Sequence, residues 1–560
     1  MKKYQSLLLI IAILSINLLV SPFNIRMDLT EEKRFTLSPQ SVSLIKDIKE
    51  VVYIKIYLEG EFPAGFKRLQ RATIEMLNDF SKINGLIEYD LEDPGNGTVE
   101  EVNKKRADLA EMGIRPTNLI VKDKEGRSEK LIYPFAIIYY KGRNTIVNLL
   151  NNQVPGMPQE VVLNNSVSLL EYKFIEAISR LDFTQPKIVA FLDGHGEASK
   201  AQTADLEKEL RKDFDTGRFF LDSVPSISNQ LSALIIVKPK QPFSEKDKFK
   251  IDQYVMNRGK VLWLLDALEV NIDSLRGRNE FFPPIANLEL DDLLFKYGLR
   301  IQPNLVLDLQ STSIPLAVGF LGNAPQFEFF KYPYHLVSVP RNSHPILKNL
   351  GPVNFNYASE IDTSIKTKTN LQKTVLLSSS DKTFLQYAPL SMNFDFLRYE
   401  QETERYDKGS KPLAVLVEGE FPSLYENRVS VEMLEGLNSM NIPFLKVSQT
   451  NKMIVVADGD LAINDVDQLG MPSAELGFNE FDKFLFFNKE FLVNSVKYLL
   501  DERGLLASRS KEIKLRMMNT AKANQNMVWL KWVNVFLPVG IIFIFGALYF
   551  SWKKKKYSNY

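Results

Sequence analysis

From Trp532 to Trp552 the chain carries no charged residue, and four lysines, Lys553 to Lys556, follow at once. At about 1.5 Å of rise per residue, about 20 residues cross the roughly 30 Å hydrocarbon layer of a bilayer, so this run predicts a membrane-spanning helix. Trp529 and Trp532 at one end and Tyr549 and Trp552 at the other fit the two interfacial aromatic belts, and the lysines suit the cytoplasmic leaflet. Pro538 and Gly540 are tolerated in such helices. A second charge-free run, Tyr4 to Ile25, follows Lys2 and Lys3. A cleaved signal peptide shares this layout, but Asn17 to Pro22 lacks the small residues of a cleavage site, which favours an uncleaved anchor. Two spans put both termini on one side. The terminal lysines place them in the cytoplasm, while Arg509, Lys511, Lys514, Arg516 and Lys522 pull the other way; long domains translocate largely regardless of charge. The expectation is a two-pass protein of the cell inner membrane, embedded in lipid, with residues 26–528 forming a periplasmic body.

That body is large enough for several folded units, since 560 residues at about 150 per domain give two to four. Lys and Arg number 69 against 68 Asp and Glu, so no global field attracts nucleic acid, and none is expected as a partner. Cysteine is absent, which excludes disulfides, thiol nucleophiles and thiolate metal sites. The fold class reads as α/β: a Rossmann-like, mostly parallel sheet domain plus a smaller N-terminal α/β domain. The expected organisation is an anchor at 1–25, the N-terminal α/β domain at 26–160, a connecting helix at 161–185 and the Rossmann-like domain with insertions at 186–500. A juxtamembrane segment at 501–528 and the C-terminal helix with its basic tail at 529–560 complete it. The runs Ala233–Val237 and Val261–Leu265 are continuously apolar, as parallel strands buried on both faces are.

The most unusual local sequence is Asp193-Gly194-His195-Gly196-Glu197, at the carboxyl end of a predicted strand, where open α/β sheets place ligands. The favoured reading is a glycine turn capped by polar side chains; the alternatives are that Asp193, His195 and Glu197 bind a ligand or, behind that, act as acid and base. Asp458 and Asp460 form a second strand-end pair, able to bind a ligand or to cap a turn. His335 and His344 have no metal partner by spacing, and no metal or cofactor is expected. Gly60 and Gly65 have the spacing of a phosphate loop, but Phe66 stands where its lysine belongs, so the chain is not expected to hydrolyse ATP.

Tyr57-Leu58-Glu59-Gly60, the segments at 191–197, 261–266, 455–460 and 509–516, and the two anchors resemble, in that order, the GldG family. These are auxiliary, substrate-binding-like components of an ABC transporter associated with gliding motility in Bacteroidetes. The resemblance implies a separately encoded permease subunit and ATPase subunit as partners. It also implies a central domain related to one in intraflagellar transport proteins and similar to the amidotransferase-like α/β class. The nucleophile of true amidotransferases is a cysteine, which this chain lacks, so no enzymatic activity carries over. The leading expectation is a non-enzymatic transporter subunit; the alternative is an envelope protein that binds or processes glycan.

Overall fold

The computed structural model describes residues 36–60, 62–123, 126–151, 158–182, 186–275, 280–322, 324–399, 402–440, 442–467, 470–510 and 526–557. The N-terminal charge-free run therefore lies outside the described residues. By contact the chain divides into a unit ending at Lys511 and a second from Glu512 to Tyr560.

The first unit opens with helix α1 (Pro39–Asp47), capped by the Ser38 side chain. Strand β1 (Val52–Ile56), helix α2 (Ala64–Ile83) and strand β2 (Ile87–Leu91) form a crossover, with β1 and β2 parallel. In α2 the buried residues Phe66, Leu69, Thr73, Leu77 and Phe80 recur at spacings of three and four, which puts one apolar stripe on the sheet. Helix α3 (Val99–Glu111) and the hairpin β3 (Thr117–Asp123) with β4 (Gly126–Ile132) follow. Strands β5 (Phe135–Tyr140) and β6 (Arg143–Asn148) then complete a four-stranded sheet in the order β2-β1-β5-β6. Helix α4 (Gln159–Asp182) is buried along most of its length and shares a core with that sheet. Its one acidic buried side chain, Glu171, accepts hydrogen bonds from the Ser38 amide and the Ser41 hydroxyl, both at 2.7 Å. Leu505 joins the same core, so residues 505–510 return to α1 and α4.

The central sheet is built from β7 (Ile188–Asp193), β8 (Asp215–Phe220), β9 (Leu231–Val237) and β10 (Lys260–Leu264). Helix α5 (Ala204–Leu210) links β7 to β8, and α6 (Glu245–Met256) links β9 to β10. A long insertion follows. It contains α7 (Asp291–Lys296), the short strand β11 (Arg300–Ile301), β12 (Asn304–Asp308) and the long hairpin β13 (Ser311–Leu321) and β14 (Ala324–Ser338). The short strands β15 (Val353–Asn354) and β16 (Ile361–Asp362) pair with β14 and β11. Then come β17 (Gln372–Ser378), β18 (Thr383–Tyr387), β19 (Pro412–Pro422), α8 (Val431–Ser439) and β20 (Val447–Val456). The small pair β21 (Phe478–Asn479) and β22 (Phe484–Leu485) and helix α9 (Asn488–Leu500) complete the unit.

The seven central strands lie in the order β17-β19-β20-β10-β9-β7-β8. From β20 to β8 all neighbours are parallel, while β19 and β17 add to the β20 edge antiparallel. Alternate side chains feed two cores: Leu234, Ile236, Val261 and Trp263 point to the face covered by α6 and α7, and Ile235, Val237, Leu262 and Leu264 to the face covered by α5 and α9. Burial on both faces explains the uninterrupted apolar runs Ala233–Val237 and Val261–Leu265. Helix α7 and strand β12 follow β10 in the chain but do not extend the central sheet, because β12 pairs with β18 instead.

The second unit contains helix α10 (Met527–Tyr557), of which Lys531–Lys555 is long and apolar enough to cross a membrane. Its large apolar side chains, such as Phe543 and Phe545, are exposed along its length.

Candidate functional site

Strands β7, β9, β10 and β20 are parallel and adjacent through β9 and β10, so their carboxyl ends share one rim. The loops leaving that rim carry both charged clusters. After β7, Gly194 (φ +126°) and Gly196 (φ +72°) occupy backbone conformations that side chains disfavour. The turn they permit lets the His195 carbonyl accept from the amides of Lys240 (2.8 Å) and Gln241 (2.9 Å). Asp193 Oδ1 accepts from Arg218 at 3.1 Å, and the same guanidinium also reaches the Ala198 carbonyl and the Thr203 hydroxyl. Burial pushes the Asp193 carboxyl up, against the lowering effect of Arg218. Both groups are thereby tied to holding the turn against β8.

His195 is only 8% exposed. Its ring stacks on Phe243 at 4.0 Å and 8°, with Nδ1 3.4 Å from Glu197 Oε1 and Nε2 3.4 Å from Asp247 Oδ2. Glu197 Oε2 accepts from the His195 amide at 2.6 Å, and Asp247 Oδ2 accepts from the Ser244 hydroxyl at 2.6 Å. Burial opposes the imidazolium, but the two flanking carboxylates outweigh it and the His195 pKa is raised. Chemically this is an imidazole flanked by two carboxylates and stacked on an aromatic ring.

The second cluster centres on the end of β20, three strands along the sheet from β7. Asp458 is fully buried; its Oδ2 accepts from the Asn356 amide and its Oδ1 from the Asp460 amide, both at 2.7 Å. Lys238, leaving β9, pairs with Asp460 and with Asp266 Oδ2 at 3.2 Å. Burial first, then Asp460 and Asp266, push the Asp458 carboxyl well above its usual range. Burial and Asp266 raise Asp460 to about 6 against Lys238. The two clusters approach through the segment after β9, where a Cβ at Gly196 would lie 3.2 Å from Lys240 Cβ. Among the described residues no group of three or more His, Asp or Glu side chains is arranged to hold a metal ion. His335 and His344 lie in neither cluster: burial lowers the His335 pKa to about 3, and His344 Nδ1 accepts from the Ile346 amide at 3.3 Å.

Sequence reasoning did not single out Lys238, Asp247, Asp266 or Arg218. The last residue of Val261-Leu262-Trp263-Leu264-Leu265-Asp266 was visible as a charge ending an apolar strand; the others carry no local signal. Nor was the opposite rim legible. There a cavity of about 790 Å³ separates α4 from the amino ends of β7 and β8. Lys497 enters it from α9 and reaches Glu176 Oε1 at 2.7 Å and Asp213 Oδ2 at 2.8 Å, while Arg180 pairs with the same Asp213.

These features define an α/β protein with a helix able to cross a membrane and no nucleotide phosphate loop in its sequence. The chain belongs to the family described as ABC-type uncharacterized transport system, whose model matches residues 186–495, more than half of its length. It is an auxiliary component of an ABC-type transport system. A second family model, described as a domain of unknown function, matches residues 31–139. An "Uncharacterized protein" of Borreliella burgdorferi is 22% identical over 98% of this chain and 97% of its own length. Among solved structures, the mmIFT52 N-terminal domain matches 56% of this chain and 98% of that chain at 12% identity and a TM-score of 0.31, too low a score to bear on fold or function.

Proposed function

We propose that the protein is a membrane-anchored, non-enzymatic subunit that joins a large extracytoplasmic body to the separate permease and ATPase of an ABC transporter of the gliding-motility type. The observation that carries this reading is α10, whose exposed apolar span ends in four lysines. The body is read as Rossmann-like. Counting the parallel strands from β7 gives the doubly wound order 2-1-3-4-5, with the switch point between β7 and β9 beside His195. The motif order from Tyr57 to Arg516 supports the gliding-motility assignment. Glycan processing finds less support, since His195 is enclosed and Asp193 is held by Arg218. The test is affinity purification of the tagged chain from native membranes. Permease and ATPase should be recovered with it, and recovery of neither after mild extraction refutes the reading.

A further inference from the structure

In the insertion between β10 and β19, a cleft of about 360 Å³ opens beside the β12–β18 pair. Its walls include Tyr334, Phe384, Phe396, Tyr399 and Tyr406. The rings brace one another: Tyr334 and Phe396 meet edge to face at 6.0 Å, and Phe384 and Tyr406 lie 6.1 Å apart. Tyr399 differs from the rest because it is 74% exposed. Such a volume falls within the range of about 300–1,000 Å³ usual for small-molecule sites, which combine aromatic walls with a few fixed polar groups.

The polar groups narrow the ligand class. The Tyr334 hydroxyl donates to Gln386 Oε1 at 2.6 Å, which orients the amide and leaves its Nε2 donors without a protein partner among the described residues. Asn393 Oδ1 accepts from the Asp395 amide at 3.1 Å, which leaves its own Nδ2 in the same condition. Among the described residues Glu402 and Arg405 are the charged side chains lining the cleft, and they lie 3.6 Å apart, so their charges balance. A phosphate or carboxylate would meet no excess positive charge from this pair. A wholly apolar ligand would strand the amide donors away from water. A neutral ring with hydroxyls at its edge and C–H groups on its faces satisfies both walls.

We propose that this cleft binds a neutral saccharide unit, stacked on Tyr399 and hydrogen-bonded by the amides of Gln386 and Asn393. The site lies on the inserted layer, apart from the charged clusters of the sheet rim. The assignment is independent of the transporter partners and of which side of the membrane the body faces.

The experiment is saturation-transfer NMR on the full chain in a nanodisc, with maltose, N,N′-diacetylchitobiose, AMP and a phenylalanine dipeptide as separate probes. Transfer to the ring protons of at least one disaccharide is expected, and none to AMP or the dipeptide. Tyr399→Ala and Gln386→Ala should each weaken that binding by about tenfold or more at unchanged melting temperature, whereas Tyr399→Phe, which keeps the ring face, should retain it. The proposal is overturned by absence of transfer to both disaccharides, by transfer to AMP or the dipeptide in their place, or by wild-type affinity in Tyr399→Ala.

Discussion

At Gly459 an added methyl group would lie 2.6 Å from Lys238 Cβ and 3.0 Å from its Cα, in the loop that holds the Asp458 cluster. Gly459→Ala should therefore cost about 1–3 kcal/mol, as overpacking does, read as a lower denaturation midpoint. The clusters also set a pH dependence. Asp460, raised from 3.8 to about 6, binds more protons folded than unfolded across that interval, so its contribution is complete below 3.8 and is lost as pH rises through about 6. Asp460→Asn should flatten the stability profile over that range in denaturation measurements at a series of pH values; an unchanged slope would remove Asp460 as its cause. His195, also raised, acts next: its contribution is complete below 6.5 and lost as pH climbs through the higher folded value. The density of glycine and acid around His195 made that turn legible in the sequence. Lys238 and Asp247 were not, because a single lysine after an apolar strand and an acid inside a helix become partners only once strand order is known.

Among the elements, α3 carries a complete capping box. Thr98 Oγ1 accepts from the Glu101 amide, and Glu101 Oε2 accepts from the Thr98 amide at 2.8 Å. Thr98→Ala should cost about 1 kcal/mol, seen as faster amide exchange in the first turn of α3. Strands β7, β9, β10 and β20 were readable because burial on both faces leaves an uninterrupted apolar run. β8 was not: Asp215-Thr216-Gly217-Arg218-Phe219-Phe220 lies at the sheet edge, is only partly buried and contains a glycine. The β13–β14 hairpin was hidden by Pro315, Pro325 and Pro333, which break a strand pattern yet fit an irregular ribbon with register shifts. Phe327 and Phe329 lie on one exposed face of it, so the double change to Ser should move the melting temperature little and reduce self-association in light scattering.

For the whole molecule, the Lys497 network joins the N-terminal sheet unit to the central sheet. Lys497 is 17% exposed and faces a cavity, so Lys497→Ala should cost at least about 2 kcal/mol, below the roughly 3–5 kcal/mol of a fully enclosed pair, and should expose this junction to limited proteolysis first. External protease on spheroplasts should digest residues 26–528; protection until lysis would reverse the topology. The many local elements were legible, but this junction was not, since it unites residues from positions 142 to 506 that no sequence window contains. The return of residues 505–510 to α1 also has a mechanical side. A Cβ on Gly504 would lie 3.9 Å from Gln40, so the two ends of the body leave from a single root. A pull at either of these ends would therefore bear first on α1 and on residues 505–510, which pack on α4, and only through that helix on the rest of the body.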